Sequence, residues 1–322
     1  MIAAARFRDW YLLLVCNLIW ASQFVMVKLV QRQMGPVFAT FFPMTLATLL
    51  LIPIVRREQM RIGGDPSRLP TRDILRFILI GVFGQVVAQL FITWGVRWAN
   101  ASNAALLMLA LPVSTAVMAY FFLGERMTRV RWISFALALA GVIECSGIDW
   151  KELNFSTGGQ FLLGNLMIFL SVNGSAFYNA YSKKLLGYYS PLQVLLYSYY
   201  AVFAFMLPIA LYAEPQGFKS LPSFTPLVWF GLAVLAFFQY FLSMVIFLNV
   251  LTRLDATQAG LSNYLIPFFG VVIAALVLHE RLTGFMLAGG VLVLASTLLV
   301  TTVYEERQRA RESVPVPKGT ET

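Results

Sequence analysis

The sequence has little charge, little histidine and little cysteine. Of its 322 residues 12% are Asp, Glu, Lys or Arg, one is histidine (His279) and two are cysteine (Cys16 and Cys145). Soluble domains carry roughly a quarter charged residues, so a water-soluble fold is excluded on composition. One histidine and two separated cysteines in apolar surroundings exclude the usual zinc sites and a disulfide framework. There is no phosphate-cradling Gly-rich loop and no embedded Ser, His and Asp set. Neither an enzyme nor a bound cofactor is expected. With no ATPase motif, any driving force comes from gradients or exchange.

What is abundant is apolar: 59% of residues are hydrophobic and the mean hydropathy is +0.74. The apolar residues arrive in runs of about 20, the length that crosses a bilayer as a helix. Ten such runs can be drawn, at 10–30, 36–55, 74–94, 103–123, 130–148, 160–182, 191–212, 226–249, 257–278 and 284–303. They predict an all-α integral membrane protein, since an open sheet would leave unpaired backbone groups in lipid. The first run is too long for a usual signal-peptide core and is read as a span.

The +9 net charge is explained by its distribution. If the N-terminus is cytoplasmic, only Lys28, Arg32, Arg97, Lys151, Lys219 and Arg281 fall outside, and the other 18 of 24 basic residues fall inside. The positive-inside rule then places both termini in the cytoplasm, and no nucleic-acid partner is needed. Trp10, Trp98, Trp132, Trp150 and Trp229 fall at predicted span ends, where amphipathic rings prefer the headgroup layer, whereas Trp20 sits in mid-span. The tail 304–322, with Pro315 and Pro317, is expected to be disordered and cytoplasmic, and the segment 1–9 to be a cytoplasmic N-terminus.

Shifting the chain by 155 residues aligns it with itself. NASNAALLMLALPVSTAVMAYFFLGERMT from Asn100 aligns with DATQAGLSNYLIPFFGVVIAALVLHERLT from Asp255, pairing Pro112 with Pro267 and Glu125 with Glu280. The same offset pairs Pro36 with Pro191, Pro53 with Pro208 and Lys28 with Lys183. The repeats, 10–148 and 160–303, are joined by a linker at 149–159 placed outside the membrane. Five spans per repeat is odd, so the second repeat enters from the opposite side. Inverted repeats are a signature of alternating-access carriers.

The chain resembles the drug/metabolite transporter superfamily, in particular its EamA-type ten-helix members. The resemblance is carried by LIWASQFVMVKLV at 18–30, ALPVSTAVMAYFFLGERMT at 110–128 with AGV at 140–142, and LIPFFGVVIAALVLHERLT at 265–283. The proline, the span and then E-R-x-T form the family's commonest repeat pattern, here present twice. Two positions depart from it. FFPMTL has Pro43 where many members have arginine, and Trp20-Ala21 stands where many have W-G. The resemblance implies a carrier with a cavity between its halves, in a cytoplasmic membrane. Relatives export amino acids and other metabolites, and some exchange nucleotide sugars or phosphate esters.

Polar side chains in spans face the bundle interior, a partner or a water-filled cavity. In the first span Asn17, Trp20, Gln23, Phe24 and Lys28 fall within an arc of about 140° at 100° per residue. Gln85 and Gln89 lie one turn apart in the third span. So do Ser175 and Asn179 in the sixth, near Asn173 and Tyr178, and Gln239 and Ser243 in the eighth. The ninth offers Gln258, Ser262, Asn263 and Tyr264. These predict a substrate cavity of neutral amides, hydroxyls and rings, with Met108 holding an apolar portion. The competing reading is that they bond helix to helix.

Five residues are candidates for gating or coupling. Pro112 and Pro267 free mid-span carbonyls, Glu144 is a candidate proton-coupling carboxylate, and Lys28 and Lys183 sit near opposite faces, to snorkel or to guard a gate. Glu125 and Glu280 are expected to tie down their hairpins, and His279 to be solvated.

The expected function is secondary-active export of a small amphipathic metabolite such as an amino acid, in a monomer or homodimer, with a proton or counter-solute as candidate partner. Two alternatives stay open. One is exchange of phosphorylated or nucleotide-linked solutes, which calls for cavity cations. The other is a non-transporting membrane scaffold.

Overall fold

A computed structural model describes residues 2–62, 70–98, 110–125 and 159–266 continuously, with isolated positions elsewhere. Every regular element among the described residues is helical. α1 (Ile2–Val30) and α2 (Pro36–Ile62) are followed by α3 (Thr71–Leu79), a π-helical segment (Ile80–Val86) and α4 (Val87–Trp98). Next come α5 (Ala110–Leu123), α6 (Gly159–Leu185), α7 (Pro191–Ala213) and the short α8 (Pro215–Lys219). α9 (Pro226–Val234) passes through a second π-helical segment (Leu235–Leu242) into α10 (Ser243–Leu251), and α11 (Ala256–Leu261) ends in a 3-10 turn (Ser262–Tyr264).

Five stretches are long and apolar enough to cross a membrane: Phe7–Val27, Pro36–Arg61, Thr71–Gly95, Pro191–Ala213 and Pro226–Leu251. α5 is a shorter apolar helix, and α6 covers the expected sixth span. The expected fifth and tenth spans, the later part of the ninth, the linker and the tail lie largely or wholly outside the described residues. α1 begins at Ile2 rather than at the expected residue 10.

The distribution of polarity is the reverse of a soluble protein's. Asn17, Gln85, Gln239 and Ser243 are buried, while Leu75, Phe83, Phe121, Tyr212 and Phe230 are exposed on the outside. Lipid solvates such an apolar exterior, and the bundle interior satisfies the polar groups. Helices meet closely where side chains vanish. A Cβ on Gly174 would stand 2.9 Å from Val87 Cγ1 and 3.0 Å from the Ala88 nitrogen, and one on Gly81 would stand 2.6 Å from the Ser198 carbonyl oxygen.

Helix boundaries recur at the offset seen in the sequence. α1 and α6 end at Val30 and Leu185, and α2 and α7 begin at Pro36 and Pro191. α3 and α9 begin at Thr71 and Pro226, and the π segments begin at Ile80 and Leu235; every pair is 155 residues apart. Proline suits a first helical position because its φ is preset and the absent N–H would lack an intrahelical partner. α1 and α6 also run in opposite senses. Asp9, early in α1, forms a two-oxygen ion pair with Arg253 at 2.8–3.0 Å. Lys183, late in α6, donates to the carbonyls of Leu251 and Leu254 at 2.5 and 2.6 Å, at that same end.

Candidate functional site

The polar stripes converge on a small central cavity, with about 80 Å³ open to water-sized molecules. α1 contributes Trp20 and Gln23, the first π segment Gln85, and α4 Ala88 and Gln89. α6 contributes Ser175, Tyr178 and Asn179, the second π segment Gln239, and the turn after α11 Asn263. Met108, Leu111, Met244 and Ile266 supply apolar lining. A π segment carries an extra residue per turn and shifts the helix face, and such segments occur often at functional sites. Here each brings a glutamine to the cavity.

The amides are ordered by one another. Gln239 Nε2 donates to Gln23 Oε1 at 2.9 Å, and Gln23 Nε2 donates to Gln89 Oε1 at 3.0 Å. Beside this chain, Trp20 Nε1 donates to Ser243 Oγ at 2.9 Å, and that hydroxyl donates to the Gln239 carbonyl in its own helix. Asn17 Nδ2 donates to Ser262 Oγ at 3.0 Å and to the Leu13 carbonyl at 2.7 Å. Several buried polar atoms at the cavity have no protein partner: Gln85 Oε1, Gln239 Oε1, and both Nδ2 and Oδ1 of Asn263. Buried polar atoms are normally paired, so each asks for water or a ligand.

Nine of the fourteen residues expected to bind substrate line this cavity: Trp20, Gln23, Gln85, Gln89, Met108, Tyr178, Asn179, Gln239 and Asn263. Ser243 is the partner of Trp20, Asn17 and Ser262 bond to each other, and Tyr264 is buried. Asn173 is placed elsewhere, donating to the Phe169 carbonyl in its own helix at 2.8 Å. Of the gating candidates, Pro112 is buried within α5. Lys183 is held by the Leu251 and Leu254 carbonyls at the C-terminal end of α10, where a cation complements the exposed carbonyls. Glu144, Pro267 and the Lys28 side chain lie outside what the structure describes.

Sequence reasoning missed three features. Ala88, Leu111, Met244 and Ile266 line the cavity but look like ordinary span residues. Glu125 reaches beyond its own hairpin to the start of α11, accepting from the Ala256 and Thr257 nitrogens at 2.8 and 3.1 Å and from Thr257 Oγ1 at 2.6 Å. At the other end Glu214 accepts from the Val37 and Phe38 nitrogens at 3.1 and 2.8 Å, which the isolated sequence did not suggest. A wider recess of about 540 Å³ adjoins Glu214 there, with Gln31, Gln33 and Arg97 in its wall.

An apolar-surfaced helical bundle with a buried, incompletely satisfied polar centre defines a membrane protein with a polar interior. The EamA-like transporter family model matches residues 10–145 and again residues 162–302, and the chain belongs to that family. Over 286 residues it is 28% identical to a protein of Streptantibioticus cattleyicolor named "Probable terminal-alkyne amino-acid exporter", spanning 87% of this chain and 89% of that one. It is 25% identical over 314 residues to "Probable amino-acid metabolite efflux pump" of Salmonella typhimurium, spanning 95% and 99%. It is 23% identical over 302 residues to "S-adenosylmethionine/S-adenosylhomocysteine transporter" of Chlamydia muridarum, spanning 93% and 92%. One crystal structure superposes with a TM-score of 0.73 at 16% identity, over 93% of this chain and 98% of that chain, a likeness of fold. The protein is a multi-pass membrane transporter.

Proposed function

We propose that the protein is a secondary-active exporter of a small amphipathic metabolite of the amino-acid type, working by alternating access between two inverted five-helix halves. Both termini are cytoplasmic and the membrane is the cell's cytoplasmic membrane. The observation that carries this reading is the central cavity, where unpaired amides from both halves stand beside Trp20, Met108 and Met244. Amides donate and accept, so they suit a polar head, and the ring and thioethers suit an apolar remainder. The twofold family match, the helix boundaries repeated at 155 residues and the opposed courses of α1 and α6 support two inverted halves. The names of the relatives support an amino-acid-like cargo. Exchange of phosphorylated solutes gains no support from Lys183, whose ammonium is engaged by two carbonyls.

The test is untargeted metabolite profiling of cells and spent medium. Overexpressed wild type is compared with a membrane-inserted Gln89→Leu, Asn263→Leu double variant. An amphipathic metabolite enriched outside and depleted inside with the wild type alone supports export. Equal profiles across replicates sink it.

A further inference from the structure

Three amide oxygens on residues that line the central cavity have no protein donor, Gln85 Oε1, Gln239 Oε1 and Asn263 Oδ1, and one amide nitrogen there, Asn263 Nδ2, has no acceptor. The residues are 2%, 5% and 5% exposed, and they come from the first π segment, the second π segment and the turn after α11. The orientation of Gln239 is set by the bond it makes. Its Nε2 is spent on Gln23 Oε1, and Gln23 Nε2 is spent on Gln89 Oε1, so the amide chain runs one way and leaves its acceptor end open at Gln239. A buried acceptor without a donor is costly, and three at one cavity call for a partner rich in donors.

We propose that these three oxygens seat a primary ammonium of the transported solute. An ammonium presents three N–H donors and no acceptor, which matches three neutral oxygens. Bonds from a charged donor are stronger than neutral ones, and that helps offset the ammonium's loss of water. A carboxylate has no donor, so it could take the Asn263 Nδ2 hydrogen but would leave all three oxygens unpaired, and a single hydroxyl would satisfy one oxygen and leave two. The apolar remainder of the solute lies against Trp20, Met108 and Met244. The inference rests on the transport reading and names the chemical group by which that same cavity grips its cargo. It also assigns the seat to both halves, so releasing the ammonium requires Gln85 to part from Gln239 and Asn263.

The test uses the purified full-length protein in detergent, with thermal stabilisation and tryptophan fluorescence as readouts. The probes are L-leucine, isopentylamine and 4-methylpentanoate, which share one branched chain, with sodium chloride against potassium chloride as the ionic control. L-leucine and isopentylamine bind and 4-methylpentanoate does not. Gln85→Leu weakens both ammonium-bearing probes by about ten- to a hundredfold. Gln85→Glu strengthens isopentylamine, a gain that structural damage does not produce. The proposal is overturned by equal binding of 4-methylpentanoate, by sodium alone reproducing the shift, by no binding of either ammonium probe, or by no gain in Gln85→Glu. Ammonium binding without solute movement in vesicles would defeat the transport reading and leave the seat standing. Movement without ammonium preference would do the reverse.

Discussion

Carboxylates at helix starts bind distant parts of the chain together. The first N–H groups of a helix lack intrahelical partners and carry its positive pole. Glu125 takes two of them at the start of α11 and also the Thr257 hydroxyl. Replacing it with alanine removes all three bonds, and the expected loss is about 1 kcal/mol, within the usual range for a cap. A thermal melt against wild type in one detergent checks this, and an unchanged midpoint contradicts it. Glu214 does the same for α2, and its carboxylate lies directly over Gly35, where a Cβ would collide with it. Tyr189 shows a pH-sensitive tie. Burial first, and then its bond to Asp73 Oδ2 at 2.6 Å, raise its pKa to about 12 from an ordinary 10. A group raised in the fold stabilises fully below its unfolded pKa and loses that contribution as pH climbs through the folded one. The stability gap between wild type and Tyr189→Phe therefore holds constant up to pH 10 and closes towards pH 12. A gap unchanged between pH 10 and 12 would refute that account.

Helices carry the repeat, and they explain how much of the molecule could be read in advance. Pro36 and Pro191 open α2 and α7 because proline is preset for a first helical turn, so these starts were visible as letters. Ser190 caps α7 within its own sequence, its Oγ accepting from the Gln193 nitrogen at 3.2 Å while Gln193 Oε1 accepts from the Ser190 nitrogen at 2.9 Å. Its counterpart at the repeat offset is Gly35, which has no side chain, and Glu214 supplies that function from 179 residues away. Nothing local in the letters marks such a long-range substitution. The same limit applies to Asn173. Its place near Ser175 and Tyr178 made it a cavity candidate, but its amide turns back onto Phe169. Gln85 and Gln239 were legible as polar residues in apolar spans, whereas the π segments that aim them were not. Close helix approach is sensitive to volume. Gly174→Val would push against the Ala88 nitrogen and the Gly84 carbonyl oxygen, atoms of a backbone that cannot step aside. Overpacking of this kind costs about 1–3 kcal/mol. A denaturation series should show the loss, and tolerance within a few tenths of a kcal/mol would mean that α6 and α4 can separate cheaply.

Taken entire, the molecule is organised around an interior that is polar and incomplete and an exterior that is apolar. The positive residues bias its orientation, and ties stand at both ends of the bundle. Asp9–Arg253 and Glu125 with α11 lie at the end where α1 begins, and Glu214 with α2 lies at the other. Cysteine labelling of intact cells tests the topology. A cysteine at Arg8 should be shielded from an impermeant reagent and one at Gln216 should react. The opposite pattern would invert the assignment and with it the direction of export.

The most direct measurement is solute counterflow in proteoliposomes containing the purified protein. The loaded solute is the metabolite that profiling finds enriched in the medium. Wild-type protein should accumulate labelled solute transiently, and the Gln89→Leu, Asn263→Leu variant, incorporated to the same density, should not. Equal accumulation by the two proteins would remove the central cavity from the transport path, and no accumulation by either would contradict the carrier itself.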